Sequence, residues 1–195
     1  MDFETKKKLM LSKLNEALKL KAVDEDVIPF LNLINRHAEY FTTSTCSGRI
    51  VIIEVEKLGK KEGSIFLYKS HKYPDFNKLL KLILNYNFSN DAWLLVEPPL
   101  FHLGVKNLDY AKKMLNIGLS AGLRRSGIRS IAEDWIVVAL WGSGHINLPL
   151  GNANKNFLAE NELYISYLLT KVGEVFNYGR NQLDKLYDSL KENLN

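Results

Sequence analysis

Residues 42 to 53 read Thr42-Thr43-Ser44-Thr45-Cys46-Ser47-Gly48-Arg49-Ile50-Val51-Ile52-Ile53. Hydroxyl side chains, a cysteine, a glycine and an arginine directly precede an apolar run that is typical of a β-strand. Loops of this composition let a ligand approach the backbone closely and often position polar or anionic ligands. Serine, threonine and glycine are also ordinary turn residues, so a plain connector is compatible with the same stretch. The pattern predicts a polar loop that leads into a strand, and the other elements are placed outward from it.

The composition is that of a chain able to bury its own core. It has 195 residues, of which 46% are hydrophobic, so we expect one domain spanning residues 1–195. No apolar run reaches the ~18 residues of a membrane-spanning helix, and the first residues lack a signal-peptide pattern. The lone cysteine excludes an intramolecular disulfide. These features favour a cytoplasmic protein, and a net charge of +4 is compatible with nucleic acid without requiring it.

Helical and strand patterns alternate along the chain. Helices are predicted near the N-terminus around Leu11 and Leu14, from Asp24 or Asp26 to Ala38, after Asp75, from Asn107 to Gly122, and over 160–191. Strands are predicted at 49–56, 64–69, 92–97, 100–105, 128–132, 134–140 and 145–148. We therefore expect an α+β fold with a mixed or antiparallel sheet packed with helices and a long C-terminal helix. In the fourth helix, Leu108, Ala111, Leu115 and Leu119 are expected to face the core.

Several familiar chemistries lack their sequence motifs. No G-x-G-x-x-G follows a first strand, which argues against a Rossmann fold, and no Walker loop is present. There is no H-x-x-x-H pair and no cysteine cluster, so no metal site is expected. Cys46 becomes a nucleophile only if a histidine such as His71 or His102 approaches it.

Three further segments carry polar groups where a ligand could reach them. His71 follows the second strand, and Glu97 ends a strand five residues before His102. A carboxylate and an imidazole can act as an acid–base pair or hold the edge of a nucleobase. The segment Ser120-Ala121-Gly122-Leu123-Arg124-Arg125-Ser126-Gly127-Ile128 puts two guanidinium groups on a tight turn between helix and strand. An arginine at such a turn can pair with a phosphate or a carboxylate, although an ordinary turn accounts for the segment equally well.

These segments together resemble one family, the tRNA wybutosine-synthesizing protein 3 family. Its signature is similar to Ser44-Thr45-Cys46-Ser47-Gly48-Arg49-Ile50. The segments Ser70-His71, Glu97-Pro98 with His102, and Ser120 to Ile128 follow in the order found in the family. The resemblance extends over most of the chain.

The resemblance implies an S-adenosyl-L-methionine-dependent methyltransferase. The family methylates N4 of the tricyclic wyosine precursor, either 4-demethylwyosine or its 7-aminocarboxypropyl derivative, at guanosine 37 in the anticodon loop of tRNA-Phe. The resemblance implies catalytic roles for His71, Glu97 and His102, which would orient N4 of the tricyclic base or accept its proton. It also implies that two loops bind the donor or the modified base, namely Ser44, Ser47, Gly48 and Arg49, and Ser120, Gly122, Arg124, Ser126 and Gly127. Exposed lysines and arginines, among them Lys60, Lys61, Arg125 and Arg129, would follow the RNA phosphates.

One departure from the family pattern affects a possible ligand contact. Trp141-Gly142-Ser143-Gly144 stands where relatives usually carry an arginine followed by serine or threonine. If that arginine contacts a ligand, its role here is vacant or is filled by Arg125 or Arg129. Two alternatives remain open: a non-catalytic RNA-binding module on the same fold, and a transferase or hydrolase that depends on Cys46.

Overall fold

The computed structural model of the protein describes residues 1–57, 59 and 62–194. The predicted surface cations Lys60 and Lys61 lie outside these residues. The described helices are α1 (Phe3–Lys19), α2 (Ile28–Asn35), α3 (Phe76–Asn85), α4 (Leu108–Ser120) and α5 (Glu162–Leu194), with a 3-10 turn at Glu25–Val27. The described strands are β1 (Tyr40–Cys46), β2 (Arg49–Val55), β3 (Ile65–Ser70), β4 (Asp91–Glu97), β5 (Leu100–Val105), β6 (Gly127–Ile131), β7 (Ile136–Trp141), β8 (Ile146–Asn152) and β9 (Lys155–Asn156).

Short polar side chains fix where several helices begin. Asp75 accepts a hydrogen bond from the Lys78 amide at 3.0 Å, and Asn107 accepts from the amides of Asp109 and Tyr110 at 3.1 Å. These bonds satisfy amides that have no partner within the helix. Asp24 caps the 3-10 turn in the same way, at 3.2 Å from the Asp26 amide. The predicted caps at Asp75 and Asn107 are therefore confirmed, whereas Asp24 caps only the 3-10 turn, and the second helix, α2, begins later, at Ile28, without a side-chain cap.

The chain divides into two compact units, each made of separate segments. Unit 1 comprises Met1–Ser47, Pro99–Ser143 and Gly179–Asn195. Its antiparallel sheet has the strand order β1-β5-β7-β6. One face of the sheet contributes Phe101, Leu103 and Leu140, all fully buried, to a core shared with α2, α4 and the end of α5. The prediction that residues 1–195 form one domain stays a prediction.

Unit 2 comprises Gly48–Pro98 and Gly144–Tyr178, and its antiparallel sheet has the order β3-β2-β4-β8-β9. Fully buried Ile52, Leu94 and Val172 belong to its core. Gly173 lets α5 approach α3 closely, because a Cβ there would lie 2.8 Å from the ring of Phe76. The α+β class, the antiparallel pairing and the long last helix are confirmed; the strands form two sheets.

Two details of the sequence prediction are wrong. Tyr40–Cys46 is strand β1, so the predicted loop shrinks to a turn at Ser47 and Gly48, because the β-branched threonines pair with β5. In α4, Leu108 and Leu119 are nearly half exposed, and the buried face includes Met114, Ile117 and Gly118. A Cβ on Gly118 would lie 2.8 Å from Leu140, so this glycine sets the side of α4 that contacts the sheet.

Among the described residues, none of the helices combines the length and the apolar character that crossing a membrane requires.

Candidate functional site

His102 and Ser44 meet on the face of the unit 1 sheet opposite its core. The two residues are paired across β5 and β1, and the Ser44 hydroxyl lies 3.5 Å from His102 Nδ1. The register shifts between Thr42 and Ser44, so Thr43 is the extra residue of a β-bulge, and its hydroxyl donates to the His102 carbonyl at 3.1 Å. Bulges next to functional sites often re-aim side chains. Here the bulge directs the hydroxyls of Thr43 and Ser44 toward one histidine.

The environment of His102 favours its neutral form. Burial of the half-exposed ring lowers the pKa of His102 below its ordinary value of 6.5, and the positive charge of Arg129 lowers it further. A neutral imidazole keeps one nitrogen able to accept a proton at neutral pH. His102 is therefore fitted to act as a proton acceptor.

Replacing Arg129 with glutamine is expected to raise the pKa of His102 part of the way toward its ordinary value, since burial, the larger cause, remains. In the wild-type protein, the pKa of His102 is lower in the folded state than in the unfolded state. The contribution of His102 to the free energy of unfolding is therefore fully present above about pH 6.5. That stability is lost as the pH falls through the folded-state pKa. An NMR titration of the His102 ring protons measures the shift, and Arg125→Gln is the matched control. Equal His102 titration curves for wild type and Arg129→Gln contradict the expectation.

A row of paired residues joins His102 to the second predicted loop. Ser44, His102, Ala139 and Gly127 are opposite one another on successive strands. A Cβ built on Gly127 would meet no atom within 4 Å, so the space above the start of β6 is open. The row places Ser44, His102 and Gly127 on one face of the sheet.

The two serines of the second loop are held by the fold. Ser120 donates its hydroxyl hydrogen to the Ile117 carbonyl at 2.9 Å, and Ser126 donates to the Leu123 carbonyl at 2.6 Å. Ser126 also accepts from the Trp141 amide at 3.0 Å. Toward a ligand, both hydroxyls are thus left as acceptors in this arrangement. Arg124 is exposed. The ligand contacts predicted for Ser120, Ser126 and Arg124 stay predictions.

Gln182 is a candidate site residue that the sequence motifs did not indicate. It lies on α5, is 3% exposed, and donates from Nε2 to the Gly122 carbonyl and, at 3.3 Å, to Ser143. Its Oε1 is buried and has no hydrogen-bond partner among the described residues. An unmet buried acceptor is costly, so it indicates a place for a donor group of a ligand. The signal in the sequence was a polar residue in register with the buried positions Leu186 and Leu190, at spacings of four.

Four predicted residues belong to unit 2 and form a group of their own. Arg49 and Glu97 are opposite each other on β2 and β4, and the guanidinium donates to the carboxylate. His71 Nδ1 lies 3.0 Å from the Gly48 carbonyl. Because a carbonyl can only accept, Nδ1 carries the hydrogen, and in the neutral ring Nε2 carries the lone pair. Gly48 has φ +95°, which explains the need for glycine in this turn.

Ser47 and Ser44 differ in their access to a ligand. Ser47 is 1% exposed, and its amide donates to the Asp24 carboxylate at 3.0 Å. Ser44 is exposed and is one of the residues that line a cavity of about 300 Å³ in unit 1. The other lining residues belong to α1, the following turn, α2 and β1, and include Lys13, Asp24 and Thr43. Its volume is at the lower end of small-molecule sites.

Sequence comparison relates the chain to one family over nearly its whole length. The family described as "Methyltransferase TYW3" matches residues 5–192. A Thermococcus sibiricus protein is 32% identical, covering 98% of this chain and 95% of the relative. A Pyrococcus horikoshii protein is 34% identical, covering 97% and 92%. The first is named tRNA(Phe) 7-((3-amino-3-carboxypropyl)-4-demethylwyosine(37)-N(4))-methyltransferase, and the second bears the same name with the suffix 1.

Solved structures have the same fold. A protein from Pyrococcus horikoshii superposes with a TM-score of 0.88 at 32% identity, covering 97% of this chain and 96% of that one. A hypothetical protein from Aeropyrum pernix gives a TM-score of 0.71 at 28% identity, with 87% and 98% covered. The match to both extends through most of each chain.

Proposed function

The chain belongs to the methyltransferase TYW3 family, and on that premise we propose that it methylates N4 of the tricyclic wyosine precursor at guanosine 37 of tRNA-Phe. The supporting observation is that relatives named for this reaction align over more than nine-tenths of both chains. We place the reaction in the cytoplasm, and the substrate is 4-demethylwyosine or its 7-aminocarboxypropyl derivative. An anticodon-loop base is unpaired and can be turned out into a protein site.

We propose S-adenosyl-L-methionine as the methyl donor, and the groups present in unit 1 fit it. The donor supplies an electrophilic methyl group on a sulfonium. Its ammonium group matches the unmet Oε1 acceptor of Gln182, and its carboxylate matches the exposed guanidinium of Arg124. The open space above Gly127 leaves room for close approach to the backbone.

The residues of this chain would align the nitrogen and receive its proton. When the N4–methyl bond forms and the sulfur–methyl bond breaks, N4 loses a proton. His102 is suited to accept it, since burial and the charge of Arg129 lower its pKa and favour the neutral ring, which lies beside the Ser44 hydroxyl. His71 is the alternative acceptor, through Nε2. Arg49, oriented by Glu97, would bind an anionic group of the RNA or of the donor.

Mass analysis of tRNA-Phe tests this function directly. Transfer RNA carrying each tricyclic precursor is incubated with the protein and S-adenosyl-L-methionine, then digested. We expect the tricyclic nucleoside to gain one methyl group, and the protein to bind the donor in calorimetry. Binding of the RNA without donor binding or methyl gain would instead identify a non-catalytic RNA-binding module. Cys46→Ala is expected to keep activity, and its complete inactivation would favour cysteine-dependent chemistry.

A further inference from the structure

The backbone of Trp141, at the end of β7 in unit 1, is paired on both sides. Its amide donates to the Ser126 hydroxyl at 3.0 Å, and its carbonyl accepts from the Arg125 amide at 3.1 Å. Trp141 also pairs with Leu100 on β5. With its backbone fixed on both sides, the half-buried indole has a defined place on the sheet.

Two arginines contact this indole. The guanidinium carbon of Arg125 lies 4.0 Å from the centre of the Trp141 ring, and that of Arg129 lies 5.4 Å away. Arg129 is the extra residue of a β-bulge in β6, where the register shifts between Ile128 and Ser130. Both arginines are exposed. A guanidinium held against an aromatic ring still has N–H groups at its edge for a phosphate.

The charge of this face favours a polyanion. None of the four strands of the unit 1 sheet contains Asp or Glu, and every residue of these strands is described. Two arginines thus converge on one ring in a sheet without carboxylates. The positive field reaches His102, where Arg129 disfavours the protonated ring.

The position of Trp141 relative to His102 matches neighbouring nucleotides. His102 pairs with Ala139, and Trp141 follows Ala139 by two residues, so both side chains are on the same face. Such diagonal neighbours are about 7–8 Å apart. A nucleotide next to one held at His102 can therefore reach the indole.

We propose that Trp141, together with Arg125 and Arg129, binds an unpaired nucleotide of the RNA that flanks the target base. The base stacks on the indole and guanidinium planes, and the guanidinium edges hold its phosphate. This inference rests on the proposed function, because it presumes an RNA substrate. It adds a stacking contact to the phosphate contacts expected from sequence.

Binding of an RNA hairpin tests the proposal without methyl donor or modified base. The probe is the unmodified anticodon arm of tRNA-Phe, and its Kd is measured by fluorescence anisotropy at several salt concentrations. We expect Trp141→Leu to weaken binding about 5- to 150-fold and Trp141→Phe to retain most of it. Arg125→Gln and Arg129→Gln should each flatten the slope of log Kd against log salt by about 0.7. Lys191→Gln, which removes a cation 4.7 Å from the Tyr187 ring, is the matched control and should bind as wild type.

Hairpins with an abasic site on either side of guanosine 37 identify the stacked base. One of the two abasic hairpins should bind the wild-type protein as weakly as the intact hairpin binds Trp141→Leu. The Trp141→Leu variant should bind that abasic hairpin and the intact hairpin equally well. Wild-type affinity of Trp141→Leu, or equal losses in Trp141→Leu and Lys191→Gln, overturns the proposal. If Trp141→Leu does not fold, unchanged salt slopes in both arginine variants overturn it. The proposed function fails separately, through absence of methyl gain on tRNA-Phe.

Discussion

Replacing Arg49 with alanine is expected to lower the rate of tRNA-Phe methylation roughly 100-fold or more, while the protein remains folded. Arg49 is held opposite Glu97 by the strand register, and its guanidinium is oriented by the carboxylate. An oriented arginine binds a carboxylate or phosphate through two parallel hydrogen bonds, and alanine removes all of them. Steady-state kinetics with methyl donor and tRNA varied separately will show which substrate loses its contact.

Two other substitutions make this experiment specific. Arg49→Lys keeps the charge and loses the planar fork, so we expect only partial recovery of the rate. Arg180→Ala is the matched control, since Arg180 is also a partly buried arginine paired with a carboxylate, 2.9 Å from Asp26. Its methylation rate should remain close to that of wild type. Turnover close to wild type in both Arg49→Ala and Ser47→Ala would contradict the role assigned to the signature.

Local features of the fold could be predicted from the sequence, because they depend on neighbouring residues. Asp75 and Asn107 start helices through bonds to amides two or three residues away. The burial of α4 could not be predicted, because Gly118 faces Leu140, and the missing side chain matters only against that partner. β1 was missed because its threonines are stabilised by pairing with β5, some sixty residues further on.

The candidate site shows the same limit. The sequence supplied Ser44, His102, Arg49 and Glu97 as candidates, and the one acid–base pair it suggested was Glu97 with His102. Ser44 contacts His102, and Arg49 contacts Glu97, through strands distant in sequence. Gln182 and the arginine contacts of Trp141 became visible only in three dimensions, because burial and ring geometry identify them. Motif order therefore indicated the family, whereas the pairing of groups required the fold.

Gly104→Ala should destabilise the protein by about 3 kcal/mol, which lowers the melting temperature by roughly 10 °C. Gly104 on β5 is opposite Phe41 on β1, and a Cβ on Gly104 would lie 2.0 Å from the Phe41 ring. Phe41 is fully buried and packs against Phe3 and Trp135, with ring centres 5.2 Å and 5.5 Å away. The ring has no free space to enter, so the added methyl group must displace packed aromatic side chains.

Gly127→Ala is the matched control for this substitution, because a Cβ there meets no atom within 4 Å. The melting temperature of Gly127→Ala should equal that of the wild type. Loss of methylation in this folded variant would support a ligand above the start of β6. A double variant, Phe41→Leu with Gly104→Ala, should be less destabilised than the two single effects added, since leucine vacates part of the space. Thermal unfolding is measured for the wild type, the three single variants and the double variant. Equal melting temperatures for Gly104→Ala and Gly127→Ala would mean that the strand pair yields without cost, and the contact between Phe41 and Gly104 would then not fix the register of β1 against β5.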